Sequence, residues 1–423
     1  MSGVKLASAA LGLTIGVLAA VPANAWPRQA PTPMTTLSAT VEGIAVGPTV
    51  LGGTLAEHIF VVSAGTPPAG GARNLFIIPP TCSNQPCLRT TLPINGLPAN
   101  ANLLGLAFTR ETTPRLVVAD GGTGQVWFLT IGTTAVTASV AMTIPAAQLA
   151  DAFLNAITFE NRGTSSRIFV SDSGNGIIWT ATLSLFGQVE ASAWIGGPAG
   201  GDPQGLLKPP TDADIFPPVG ANGIAFSNGG TRMFVANTGR RNIIQIPVNA
   251  NGNAGTPIIL ATGINGPDGI AVQKTGTTGT GLNRIWVAAN QSDEIVIIDG
   301  SSSNTNPPLT TTPGRVIDKM GDFHGFTGPV GARTGWIGLL FPASVAFSNN
   351  GDTLYVSNPA FVQQNSVVGC PVPPGPSGPP GGTPCNPPFS IDSAWAQVVF
   401  LPSPRSTVVK FERIIGFTPT AFP

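Results

Sequence analysis

The stretch GANGIAFSNGGTRMFVAN (Gly220–Asn237) holds two short apolar runs, NGIAF and RMFVAN, separated by a polar Ser-Asn-Gly-Gly turn. Short runs rich in Ile, Val and Phe, bounded by Gly and Asn, read as strands joined by a tight turn. The pattern recurs along the chain. Its first run returns as VEGIAV (41–46), LLGLAF (103–108), LNAITF (154–159), ANGIAF (221–226), PDGIAV (267–272) and ASVAF (343–347). Its second run returns as HIFVVS (58–63), RLVVAD (115–120), RIFVSD (167–172), RMFVAN (232–237), RIWVAA (284–289) and TLYVSN (353–358). A third follows in each copy: NLFIIP (74–79), QVWFLTI (125–131), GIIWTATL (176–183), NIIQIPV (242–248), EIVIID (294–299) and AQVVFLP (396–402). TPIILAT (256–262) and STVVKFERI (406–414) are candidate fourth strands.

Six copies of a unit with three or four strands predict an all-β fold, a six-bladed β-propeller with a central channel. One unit cannot bury both of its faces, so each packs against its neighbours. A pair of β-sandwiches would not explain six copies in phase. First runs start 62, 51, 67, 46 and 76 residues apart, so sizeable loops are expected at Ser301–Leu340 and Val362–Pro388. The second, containing GCPVPPGPSGPPGGTPC, is turn-rich and of low complexity, and reads as a surface loop. Two ways of closing the ring stay open: Pro33–Val41 pairs with the last unit, or STVVKFERI completes that unit alone.

Composition agrees with many tight connections. The chain carries 53 Gly and 42 Pro spread among apolar runs, with 42% hydrophobic residues. Charged residues are only 9%, against roughly 25% in an average soluble protein. Net charge is zero and no basic cluster occurs, which argues against nucleic acid as a partner. Residues 1–25 read as a signal peptide: Lys5 is the sole charge, Leu6–Ala20 is apolar, and Ala23-Asn24-Ala25 forms a cleavage site. The apolar core is shorter than the ~20 residues of a membrane span, and no Cys follows the site, so no membrane anchor is expected. A mature domain, 26–423, in the periplasm or secreted, follows from this reading. A monomer is expected. The four cysteines form two local pairs, Cys82 with Cys87 and Cys370 with Cys385, and read as loop staples in an oxidising compartment. A zinc site is the weaker alternative, since neither spacing is CxxC.

One position per copy carries the chemistry. The residue before the small residue of each first run is Glu42, Leu104, Asn155, Asn222, Asp268 and Ser344. In a propeller these stand at one mouth of the channel and face one axis. Taken singly, an Asn, Asp or Glu before Gly satisfies turn N–H groups. Taken together, two carboxylates and two carboxamides converging inside a protein repel and lose hydration unless a cation neutralises them. An all-oxygen set without His or Cys suits Ca2+, among divalent metals, better than zinc or copper.

The ordered set Glu42, Asn155, Asn222 and Asp268, together with the repeat ANGIAFSNGGTRMFVANTGRRNIIQIPVNANGNAG (221–255), resembles the SMP-30/gluconolactonase/LRE-like six-bladed propellers. Paraoxonases and diisopropylfluorophosphatases are more distantly similar, and NHL-type propellers share the blade motif. The resemblance implies a calcium ion held by Glu42, Asn222 and Asp268, with Asn155 beside it as ligand or substrate contact. It implies hydrolysis of a small-molecule lactone or ester, with Asp268 as general base, or as nucleophile toward a phosphotriester, and with Asn155 orienting the substrate. The chain departs from the paraoxonase-like pattern at Leu104, where a histidine is used there. His58 reads as structural; His324, in GDFHGF, lies within a long loop that could reach the mouth. Asp120 and Asp172 read as turn residues. Neither a Ser/His/Asp set nor G-x-S-x-G occurs. The competing readings are a non-catalytic NHL-like propeller binding a peptide, glycan or envelope partner, and a strictosidine-synthase-like or lyase propeller.

Overall fold

A computed structural model describes residues 32–37, 41–51, 55–63, 73–81, 89–160, 167–184, 187–211, 219–273, 283–300, 314–321, 339, 341–358, 361–364, 399–402 and 406–411. The signal-peptide segment, all four cysteines, His324 and most of the Pro/Gly-rich loop lie outside these residues. The fold is all-β, and among the described residues no helix is long and apolar enough to cross a membrane.

The first five repeats each form an antiparallel meander. The third runs Leu154–Phe159, Arg167–Asp172, Ile177–Thr182 and Ser192–Ile195; the fourth runs Ala221–Phe226, Arg232–Asn237, Asn242–Pro247 and Ile258–Thr262. The first two meanders begin at Val41–Val46 and Leu103–Phe108. They belong to one nine-stranded sheet, because Ile94 and Asn95 of the first pair in parallel with Val136 and Thr137 of the second. In the fifth repeat, Val316–Gly321 supplies the fourth strand within what the sequence suggested was loop.

The sixth repeat differs most from its sequence reading. Its sheet orders Thr32–Leu37, Ser406–Phe411, Leu354–Asn358 and Ser344–Phe347. Both closing candidates are therefore used at once: the early strand is the sheet's outer edge and the late one its third strand. AQVVFLP is not that third strand. Its Val399–Pro402 pairs with Phe361–Gln364 in a separate hairpin, so the loop expected from residue 362 begins inside a strand.

Strand residues alternate between two faces, and here both faces are buried against different neighbours. Val118 faces a core with Phe60, Leu75 and Leu103, whereas Val117 and Ala119 face one with Leu154, Ile168 and Trp179. Further cores join the third repeat to the fourth, the fourth to the fifth and the fifth to the sixth. The last, with Val41, Ile59, Phe76 and Tyr355, joins the sixth back to the first. The same seam is closed by Asn349, whose Nδ2 donates to Gly47 O at 2.9 Å and to Glu57 Oε1 at 2.6 Å.

The two turn aspartates act as internal staples. Asp120 Oδ1 accepts the Asn102 and Gly122 amides at 2.7 and 2.9 Å, and Oδ2 accepts Trp127 Nε1 at 3.0 Å. Asp172 repeats the device one repeat later, with the Phe153 amide and Trp179 Nε1, both at 3.0 Å. Their carboxylates are spent on the fold, as turn residues should be.

Candidate functional site

The six first strands pack side by side in chain order. A Cβ on Gly43 would collide with the Leu104 carbonyl, on Gly105 with that of Asn155, on Gly223 with that of Asp268, and on Gly269 with Ala343 and Ser344. Ser357 Oγ donates to Glu42 O and returns the series from the sixth repeat to the first. At these four positions the glycine is thus a packing requirement: only without a side chain can the next strand approach so closely.

The pairing of these strands shows what aims the candidate side chains. Val41 pairs with Ser63 and Ile44 with Val61, so Glu42 and Gly43 together stand opposite Val62 alone. The same slip occurs at Leu104-Gly105, Asn155-Ala156, Asn222-Gly223 and Asp268-Gly269. Two residues opposite one is a β-bulge, which bends the strand and turns a side chain out of the regular alternation. Ser344 and Val345 pair in step with Ser357 and Val356, so the sixth position lacks this device.

Glu42 and Asp268 are 226 positions apart in the chain, yet close enough that the Asp268 charge acts on Glu42. Burial pushes the Glu42 carboxyl well above the ordinary carboxylate range, and repulsion from Asp268 adds to it. Glu42 is half-buried. Asp268 is 6% exposed; burial pushes it up to about 7, against the opposing pull of the Asn290 and Asn222 amides. The groups that favour its charge are neutral amides, not a Lys or Arg. Asn290 Nδ2 donates to Asp268 Oδ2 at 3.0 Å. Asn222 Nδ2 donates to Thr238 Oγ1 at 3.0 Å, and that hydroxyl donates to Pro267 O at 2.7 Å.

The structure therefore brings Glu42, Asn222 and Asp268 together. Asn155 is buried in its own bulge between the second and fourth repeats, and its side chain makes no hydrogen bond among the described residues. Leu104 is 2% exposed, lies outside the inter-sheet cores, and packs with Phe153 around Gly121. His58 sits at the opposite end of its sheet, with Nδ1 3.1 Å from Ala56 O, a structural position. Among the described residues no cluster of three or more His, Cys, Asp and Glu occurs. The donor set is two carboxylates with amide oxygens, which fits a hard divalent cation and not a soft one. Asn290 and Thr238 were not singled out from the sequence. Both stand one residue past a second strand, where aligning RIFVSD-Ser173, RMFVAN-Thr238 and RIWVAA-Asn290 exposes a polar column.

No family model matches this sequence, and no curated protein matches it significantly. Among solved structures it is similar to a luciferin-regenerating enzyme, at 14% identity and TM-score 0.49, covering 77% of this chain and 85% of that one. It is similar to the calcium-binding protein regucalcin from Agrobacterium tumefaciens, at 14% identity and TM-score 0.47, covering 78% and 85%. It is also similar to a gluconolactonase from Xanthomonas campestris, at 13% identity and TM-score 0.49, covering 77% and 85%.

Proposed function

We propose that the closed series of sheets is a six-bladed β-propeller, and that Glu42, Asn222 and Asp268, with Asn155 beside them, hold a calcium ion in its channel for the hydrolysis of a lactone or ester. The observation that carries this is the Glu42–Asp268 pair: burial raises both carboxyls, the Asp268 charge raises Glu42 further, and the groups that favour the charge of Asp268 are amides. A protein gains nothing from that repulsion unless a cation takes the site.

When bound there, the cation supplies Lewis-acid polarisation of the substrate carbonyl and charge to match the developing oxyanion. The rest falls to the chain. Asn290 holds Asp268 Oδ2 and so fixes the carboxylate that takes the proton of an attacking water. The water oxygen bonds to the carbonyl carbon, the ring C–O bond breaks, and the departing alkoxide is protonated. Thr238 accepts from the Asn222 amide nitrogen, so the Asn222 oxygen remains the group to offer a ligand. Asn155 orients the substrate. The reading of residues 1–25 as a signal peptide supports an activity in the periplasm or outside the cell, which N-terminal sequencing of the secreted protein tests: the expected first residue is Trp26.

The test is calorimetric titration with Ca2+ alongside pH-stat hydrolysis of an aliphatic lactone. Binding with turnover, both abolished by chelator, supports the proposal. Binding without turnover of any lactone, ester or phosphotriester favours a non-catalytic propeller with a structural ion, a reading to which the apolar Leu104 is suited. Absence of binding overturns the metal site.

A further inference from the structure

Behind the candidate ligands stand further side chains from the ends of the neighbouring strands, and one of them, Asn290, does not behave like an ordinary structural polar residue. Asn290 is 5% exposed. Its backbone amide is pinned to Gly266 O at 2.9 Å, which fixes where the side chain can go. Its Nδ2 is spent on Asp268 Oδ2 at 3.0 Å. Its Oδ1 is left buried with no hydrogen-bond partner among the described residues, pressed against Gly266. Gly266 has φ +60°, and a Cβ there would collide with that same oxygen, so the main chain has given way to admit it.

A buried acceptor without a partner is a cost that folded proteins avoid. Turning the amide over would not remove it, because the oxygen would then face the Asp268 carboxylate. The amide is oriented by Asp268 and not by the needs of the fold around it. Thr238 takes the corresponding place one repeat earlier and holds Asn222. By contrast Asn237, fully buried beside it, has its Nδ2 shared between the Leu206 and Lys208 carbonyls at 2.8 and 2.9 Å, and its Oδ1 accepts the Arg240 amide at 3.0 Å. That asparagine is satisfied on both sides and ties a loop to its sheet.

We propose that Asn290 is a positioning residue: it holds one oxygen of Asp268 so that the other is presented to the divalent cation, a role parallel to that of Thr238 toward Asn222. This rests on the metal reading above. Partners that orient a ligand typically change metal affinity by about 10–100-fold when removed.

The experiment measures two quantities on the full mature chain, the Ca2+ dissociation constant by calorimetry and the unfolding midpoint in chelator, for wild type, Asn290→Ala, Asn290→Ser and Asn237→Ala. Expected for both Asn290 variants is a Ca2+ affinity weaker by about tenfold with the metal-free midpoint essentially unmoved. Expected for Asn237→Ala is the reverse, a lower midpoint and wild-type affinity. If the Asn290 variants lose metal-free stability and keep wild-type affinity, Asn290 is structural and the proposal is overturned while the metal site stands. If wild type itself gives no calcium heat and no midpoint shift, the metal site falls and this inference falls with it.

Discussion

Replacing Asp268 by Asn should stabilise the metal-free protein and at the same time remove its response to calcium. Burial holds the Asp268 carboxyl at about 7 in the fold, against an ordinary value of 3.8. Three pH units correspond to about 4 kcal/mol, the cost of keeping this group ionised in the folded state. The sign follows from linkage: with the folded-state value raised, the native state holds the extra proton between about pH 4 and 7. Below that window both states are protonated and nothing is lost; stability falls as the pH rises through it, and the whole penalty is present above 7. Asn carries no charge and avoids the penalty, forfeiting part of one hydrogen bond from Asn290 worth about 1 kcal/mol. The variant should therefore be more stable than wild type by about 3 kcal/mol at pH 8 in chelator, with the difference vanishing near pH 4. Calcium at a hundredfold its dissociation constant should return about 2.7 kcal/mol to wild type and little to the variant. Urea denaturation at pH 4, 6 and 8, with chelator and with calcium, measures all of this. A variant less stable than wild type in chelator at pH 8, or one with an intact calcium response, would refute the reasoning.

Glu42→Gln should act in the same direction in chelator, because it removes a carboxyl whose ionisation is opposed by burial and by the Asp268 charge; urea denaturation at pH 8 reads the gain. Gly223→Ala should destabilise by about 3 kcal/mol in chemical denaturation, since the new Cβ meets the Asp268 backbone of the next repeat. Asp120→Ala, which strips partners from two backbone amides, the Thr123 hydroxyl and Trp127 Nε1, should also cost about 3 kcal/mol, with calcium affinity untouched. That pairing of lost stability with retained binding separates the two classes of buried carboxylate in this protein.

The repeat, its strands and the candidate positions were legible along the chain, because a strand buried on both faces must be written as a short, nearly continuous apolar run, and six such runs in phase leave few alternatives. The candidate set Glu42, Asn155, Asn222 and Asp268 was drawn from the same repeat, and the structure puts the Asn222 amide and Glu42 near Asp268 because equivalent positions in a repeat occupy equivalent places. Three things were decided only in three dimensions. The last sheet is assembled from the two ends of the chain, Thr32–Leu37 and Ser406–Phe411, so its third strand could not be found by reading forward from Leu354. The bulge that re-aims each candidate side chain is a matter of register, which shows only once both strands are paired. The acid strength of Asp268 depends on burial and on the amides of Asn222 and of Asn290, the latter on a turn 22 residues away, and those are properties of neighbours in space. Local pattern is set by the period of the chain; charge, register and closure are set by what the folded chain brings alongside.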